Sequence, residues 1–143
     1  MKNVTDLLKA KPPRAMVTVK PDDTVLEAIK ILAREDIGAA AVISDGKLVG
    51  IFSERDYTRK IVLQGRQSET TRVEEIMTAN VICVNPRTKT RDCMALMSEK
   101  GIRHLPVVDE GRVVGMVSIR DIVTDIIADQ DFTISQLEQY IVS

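Results

Sequence analysis

Gly101-Ile-Arg-His-Leu-Pro106-Val-Val-Asp-Glu110-Gly-Arg-Val-Val-Gly115-Met-Val-Ser118-Ile-Arg-Asp121 decides how the rest of the chain is read. An apolar run, an acidic-Gly turn at Glu110-Gly111 and a second apolar run predict two short strands joined as a hairpin. A polar cluster, Ser118, Arg120 and Asp121, follows the second strand. The single histidine, His104, stands beside Arg103 where the first strand begins. Basic groups at one end of a hairpin and Ser-x-Arg-Asp at the other are suited to a small anion.

The same pattern occurs earlier in the chain. Pro21 returns as Pro86, Ile37 as Ile102, Val42 as Val107, Gly46 as Gly111 and Gly50 as Gly115. Ser53 returns as Ser118, Arg55-Asp56 as Arg120-Asp121 and Ile61 as Ile126, every pair 65 residues apart. One offset held without a gap over about forty residues marks an internal repeat. In the first copy, Thr24-Val-Leu-Glu27 reads as a capping box, and Val25, Ala28, Ile29, Leu32 and Ala33 share one helical face. Gly38 is the expected helix stop. Strands are expected over residues 39–43 and 48–52 around an Asp45-Gly46 turn, then a helix from Arg55 to Leu63.

The repeated unit is therefore strand, helix, strand, strand, helix. We divide the chain into a helical lead-in (1–13), repeat 1 (14–65), a polar linker (66–76), repeat 2 (77–128) and a helical tail (129–143). Thr71-Arg-Val-Glu74 is read as the cap of a single turn within the linker. A unit of roughly fifty residues buries little surface alone, so the halves are expected to share a core. The tail carries Phe132, Ile134, Leu137 and Ile141 at near-helical spacing, as if to cover an apolar face of its own or of a partner.

Composition narrows the function classes. Of 143 residues, 44% are hydrophobic and only 3% aromatic, so the core must be aliphatic. Lys and Arg total 20 against 21 Asp and Glu, which argues against a general nucleic-acid surface. No apolar run approaches the roughly 20 residues of a membrane span. The N-terminus lacks the apolar stretch of a secretion signal, and a cytoplasmic protein is expected. Cys83 and Cys93 have no metal or redox spacing and read as buried thiols. One histidine, with no carboxylate pair or Ser/His/Asp order around it, leaves no base and nucleophile to assign. An enzyme is not expected, and neither a metal nor a catalytic cofactor is implied.

A doubled unit with Gly50-Ile-Phe-Ser53-Glu-Arg55-Asp56 and Gly115-Met-Val-Ser118-Ile-Arg120-Asp121 after its hairpins resembles the cystathionine-β-synthase (CBS) domain pair, or Bateman module. The resemblance spans residues 14–128, and Pro21, Pro86 and Gly101 to Val108 support it. It implies an α+β fold of two β-α-β-β-α repeats packed sheet to sheet about a pseudo-twofold axis, usually dimerised into a disc. It further implies a regulatory module that binds AMP foremost, or ATP or NADH, between the repeats and modulates a partner protein or its own homodimer.

By the same resemblance, Asp121 and Asp56 would accept hydrogen bonds from ribose hydroxyls, since a carboxylate offers several acceptor sites to a vicinal diol. Ser118 and Ser53 would mark phosphate positions at helix starts. Arg120, Arg55, Arg103 and His104 would add charge-assisted contacts. Met16-Val17 and Val81-Ile82 would line the adenine. Each Ser-x-x-Asp is also a plain capping signature, and a ligand-free interaction module is the alternative reading. The copies differ where Arg103-His104-Leu105-Pro106 faces Gly38-Ala39-Ala40-Ala41. The Asp121 site is accordingly expected to lead, the Asp56 site to be weaker unless Arg103 or His104 reaches across.

Overall fold

A computed structural model describes residues 2–13 and 15–142. Helix α1 (Val4–Lys9) leads to a short strand β1 (Thr18–Val19), helix α2 (Val25–Glu35) and the hairpin β2 (Ala39–Ser44) and β3 (Lys47–Ser53). Helix α3 (Glu54–Tyr57) runs into a π-helical turn over Thr58–Val62. A single-turn helix α4 (Val73–Ile76) precedes α5 (Thr90–Lys100), the hairpin β4 (His104–Asp109) and β5 (Arg112–Ser118), and the long α6 (Ile119–Val142).

The two halves share a topology. β1 pairs parallel with β2, which pairs antiparallel with β3. In the second half, β4 and β5 repeat the hairpin, and the leading strand shrinks to one parallel bridge, Val84 with Val107. Both hairpins shift register at the same place, after Val42 and after Val107. Both turn through two residues of positive φ, Asp45 (51°) with Gly46 (76°) and Glu110 (50°) with Gly111 (78°). That pair of angles is the primed turn whose twist matches antiparallel strands.

Two boundaries differ from the sequence expectation. Helix α2 ends at Asp36, left-handed at φ 54°, two residues before Gly38. The equivalent position in the second half is Gly101, φ 65°, so an aspartate does there what a glycine does in its twin. The cap of α4 is shifted by one residue: the Arg72 N–H donates to Glu75 Oε2 at 2.6 Å, and Glu74 takes no part in that bond.

The halves build two cores rather than one, and each borrows a helix across the chain. Val73 and Ile76 of α4 sit in the first core with Leu32, Val42 and Phe52. Val4 and Leu7 of α1 sit in the second with Val107, Val117 and Ile122. The backbone ties follow the same exchange. Val73 N–H donates to Asp23 C=O at 2.9 Å, and Val4 N–H donates to Thr88 C=O at 2.8 Å. Within each core, volume is compensated between equivalent positions: Phe52 packs with Ala40, whereas Val117 packs with Leu105. Such swaps keep total volume and so keep packing density.

The two sheets meet through β3 and β5. Residues 129–142 are helical and continue α6 without a break. Phe132, Ile134 and Leu137 are 67%, 52% and 58% exposed and stand largely open to solvent; the Ile141 side chain lies outside the described residues. Cys93 is buried as expected; Cys83 is exposed, because it precedes Val84 on a segment that pairs by one bridge only.

Candidate functional site

The short α3 begins where β3 ends, and Ser53 is its N-cap. The Asp56 N–H donates to Ser53 Oγ at 3.1 Å, while Ser53 N–H and Oγ both donate to Asp56 Oδ2 at 3.0 Å. This reciprocal box holds Asp56 in one rotamer with only 8% of its surface exposed. Its other oxygen, Oδ1, faces Lys60 Nζ one turn along at 3.1 Å. The lysine in turn donates to Ile76 C=O at 2.8 Å, tying the site to the borrowed helix α4.

Asp56 lies in a cleft of about 360 Å³ between the halves. The first half contributes Gly38, Ile51, Ser53, Glu54, Arg55 and Asp56. The second contributes Thr78, Asn80, Val81, Ile82, Ile102, Arg103 and His104. Arg55 spans the gap, its guanidinium donating to Gly101 C=O at 3.2 Å. His104 comes so close to Gly38 that a Cβ there would lie 3.4 Å from its ring. Gly38 of the first copy thus makes room for His104 of the second. Burial chiefly holds His104 below its ordinary value of 6.5; Asp121 opposes that shift, and Lys11 and Arg103 reinforce it.

Seven of the twelve residues singled out from the sequence converge here: Ser53, Arg55, Asp56, Val81, Ile82, Arg103 and His104. Asp121, Ser118, Arg120, Met16 and Val17 are not among its lining. Asp121 is capped in the same way, Ser118 N–H donating to its Oδ2 at 2.8 Å and its own N–H donating to Ser118 Oγ at 3.2 Å. It also carries an ion pair with Lys11, Nζ to Oδ2 at 2.7 Å. The basic pair expected beside Asp121 therefore also serves the cleft of Asp56, the reach across the repeats on which the weaker site depended.

Sequence reasoning left out three contributors. Lys60 reads from the sequence as part of a wet helical face, although position i+4 on a helix faces position i. Glu54 directly precedes the motif's Arg55, and nothing in the spacing marks it as facing the cleft. Lys11 had no local signal, because its partner lies 110 residues away.

Chemically, the cleft offers two guanidinium groups and an imidazole to an anion. It offers the acceptor oxygens of Asp56 and Glu54 to hydroxyl donors, and aliphatic walls to an apolar ring. The cap bonds and ligand bonds of Asp56 are compatible, since an ionised carboxylate accepts at about four positions.

The CBS domain family model matches residues 4–63 and 73–128 of this chain. The first matched segment takes in α1 and the second begins at α4, in keeping with the exchanged helices. The mitochondrial CBS domain-containing protein CBSX3 of Arabidopsis thaliana is 38% identical over 96% of this chain and 71% of its own length. A solved CBS-domain protein from Burkholderia ambifaria is 51% identical with a TM-score of 0.87, over 90% of this chain and 96% of that one. The CBS domain pair of protein MJ0100, solved with 5′-methylthioadenosine and S-adenosyl-L-methionine, is 30% identical with a TM-score of 0.77, over 90% and 98%. Protein PAE2072 of Pyrobaculum aerophilum, complexed with AMP, is 27% identical with a TM-score of 0.74, over 84% and 89%. The chain belongs to the CBS domain family and is a CBS domain pair.

Proposed function

We propose that this CBS domain pair is a regulatory module that binds an adenosine-containing nucleotide in the Asp56 cleft, AMP foremost, with ATP or NADH as further candidates. The observation that carries the reading is the composition of the cleft across the repeats: Asp56 and Arg55 from one face Arg103, His104 and Val81-Ile82 from the other. Asp56 accepts from the ribose hydroxyls, Arg55, Arg103 and His104 hold phosphate oxygens, and Val81, Ile82 and Ile51 flank the adenine. Adenosine ligands in the two related solved pairs support this assignment. Occupancy then changes a partner protein or the homodimer through different affinities for two states of the module. A catalytic role is not proposed: the Ser53 hydroxyl and the Asp56 carboxylate are taken up by their reciprocal helix cap. The cytoplasmic expectation rests on the sequence alone; the Arabidopsis relative is named mitochondrial.

Melting curves with AMP, ATP, NADH and S-adenosylmethionine test the reading. A ligand at a hundred times its dissociation constant should stabilise the fold by about 2.7 kcal/mol. Asp56→Asn, which keeps an oxygen for the cap but gives up the Lys60 ion pair, should abolish that shift while lowering the unliganded melt only modestly. A melt that none of the four ligands moves would favour a ligand-free interaction module, for which the exposed apolar face of α6 is the specific observation.

A further inference from the structure

The two aspartates acquire their ammonium partners from different places. Asp56 takes Lys60 from its own helix. The residue 65 positions after Lys60 is Asp125, so the second repeat has an acid where the first has a base. Lys11 fills the gap from outside the repeat: its Nζ lies 2.7 Å from Asp121 Oδ2 and donates to Met116 C=O at 2.7 Å. The rest of the N-terminal segment is fastened alongside it. Lys2 pairs with Asp125 at 2.6 Å and Asp129 at 2.8 Å, and those bonds, Asp125 first, raise its pKa. Leu8 lies against Gly115, so close that a Cβ there would sit 2.9 Å from its Cδ2.

We propose that Lys11 is a tethered occupant of the second nucleotide half-site, so that each chain binds one nucleotide, at Asp56, until Lys11 is released. The inference rests on the nucleotide-binding reading above. An ammonium seated on Asp121 competes with ribose hydroxyls for the same carboxylate, and its tether makes the competition intramolecular. Arg103 and His104, which line the Asp56 cleft, are then committed to it, although His104 also feels the charge of Asp121. The first repeat cannot be closed in this way, because Lys60 approaches Asp56 from within α3 and its following turn and leaves the cleft open.

Calorimetric titration with AMP separates the outcomes. Wild type should bind one AMP per chain, Lys11→Met two, and Lys11→Arg one, each variant melting close to wild type. In an Asp56→Asn background the wild-type N-terminus should bind none and Lys11→Met one. Two sites in wild type, or one site in a folded Lys11→Met protein, would overturn the inference while leaving the Asp56 cleft intact. No binding to wild type with one site in Lys11→Met would sustain the latch and reject the cleft. No binding to either would reject both.

Discussion

Gly50 and Gly115 hold the same register position in their hairpins, yet they meet different neighbours. A Cβ on Gly50 would fall 2.6 Å from Met77 Sδ and 2.9 Å from the Thr78 carbonyl oxygen. That backbone is fixed, because Ile51 and Thr78 exchange two hydrogen bonds of 2.9 Å. On Gly115 it would meet only the end of the Leu8 side chain, which can turn away. Gly50→Ala should therefore cost about 1–3 kcal/mol and Gly115→Ala clearly less, as measured by urea unfolding. His104 supports a second residue-level prediction. Its folded pKa is depressed, so the unfolded chain takes up the proton first as pH falls below 6.5. The neutral ring contributes stability above that value, lost as pH falls through the folded pKa. Replacing it by Gln should flatten the melting temperature between about pH 7 and pH 5 relative to wild type; an unchanged slope would remove His104 from that role.

At the scale of elements, the repeat was the readable part. A gapless offset of 65, two acidic-Gly turns and two Ser-x-x-Asp starts each have a local cause, and hairpins and caps form at those places. The stop at Asp36 was missed because an aspartate in left-handed geometry has no unique sequence mark. The exchange of α1 and α4 was missed for a different reason: Val4 and Val73 lie 69 apart, four residues outside the common offset. The matched pairs therefore begin only at Pro21, and residues 73–76 fall in the expected linker. Their burial gives a direct test. Ile76→Ala and Leu7→Ala should each cost about 2–5 kcal/mol, as truncations in a closed core, although neither residue lies within the 65-residue repeat pattern. Losses under about 0.5 kcal/mol, usual for surface sites, would contradict the exchange.

At the scale of the molecule, α6 leaves Val123, Ile127, Phe132, Ile134 and Leu137 about half exposed or more. The proposed homodimer gives these side chains an occupant. Ile134→Asp with Leu137→Asp should then shift the mass measured by light scattering from two chains to one; an unchanged mass would place the dimer contact elsewhere. The cleft is also a property of the whole molecule, and here sequence reasoning was partial. It named seven of the lining residues and expected the Asp121 site to lead; the arrival of Lys11 at Asp121 and the space that Gly38 leaves for His104 have no local mark in the sequence. The most direct test is AMP titration of wild type beside Arg55→Ala from one repeat and Arg103→Ala from the other. A cleft shared between repeats predicts that both substitutions weaken AMP, each by tenfold or more if it removes about 1.5–3 kcal/mol of charge-assisted bonding. Undiminished affinity in either variant would contradict it.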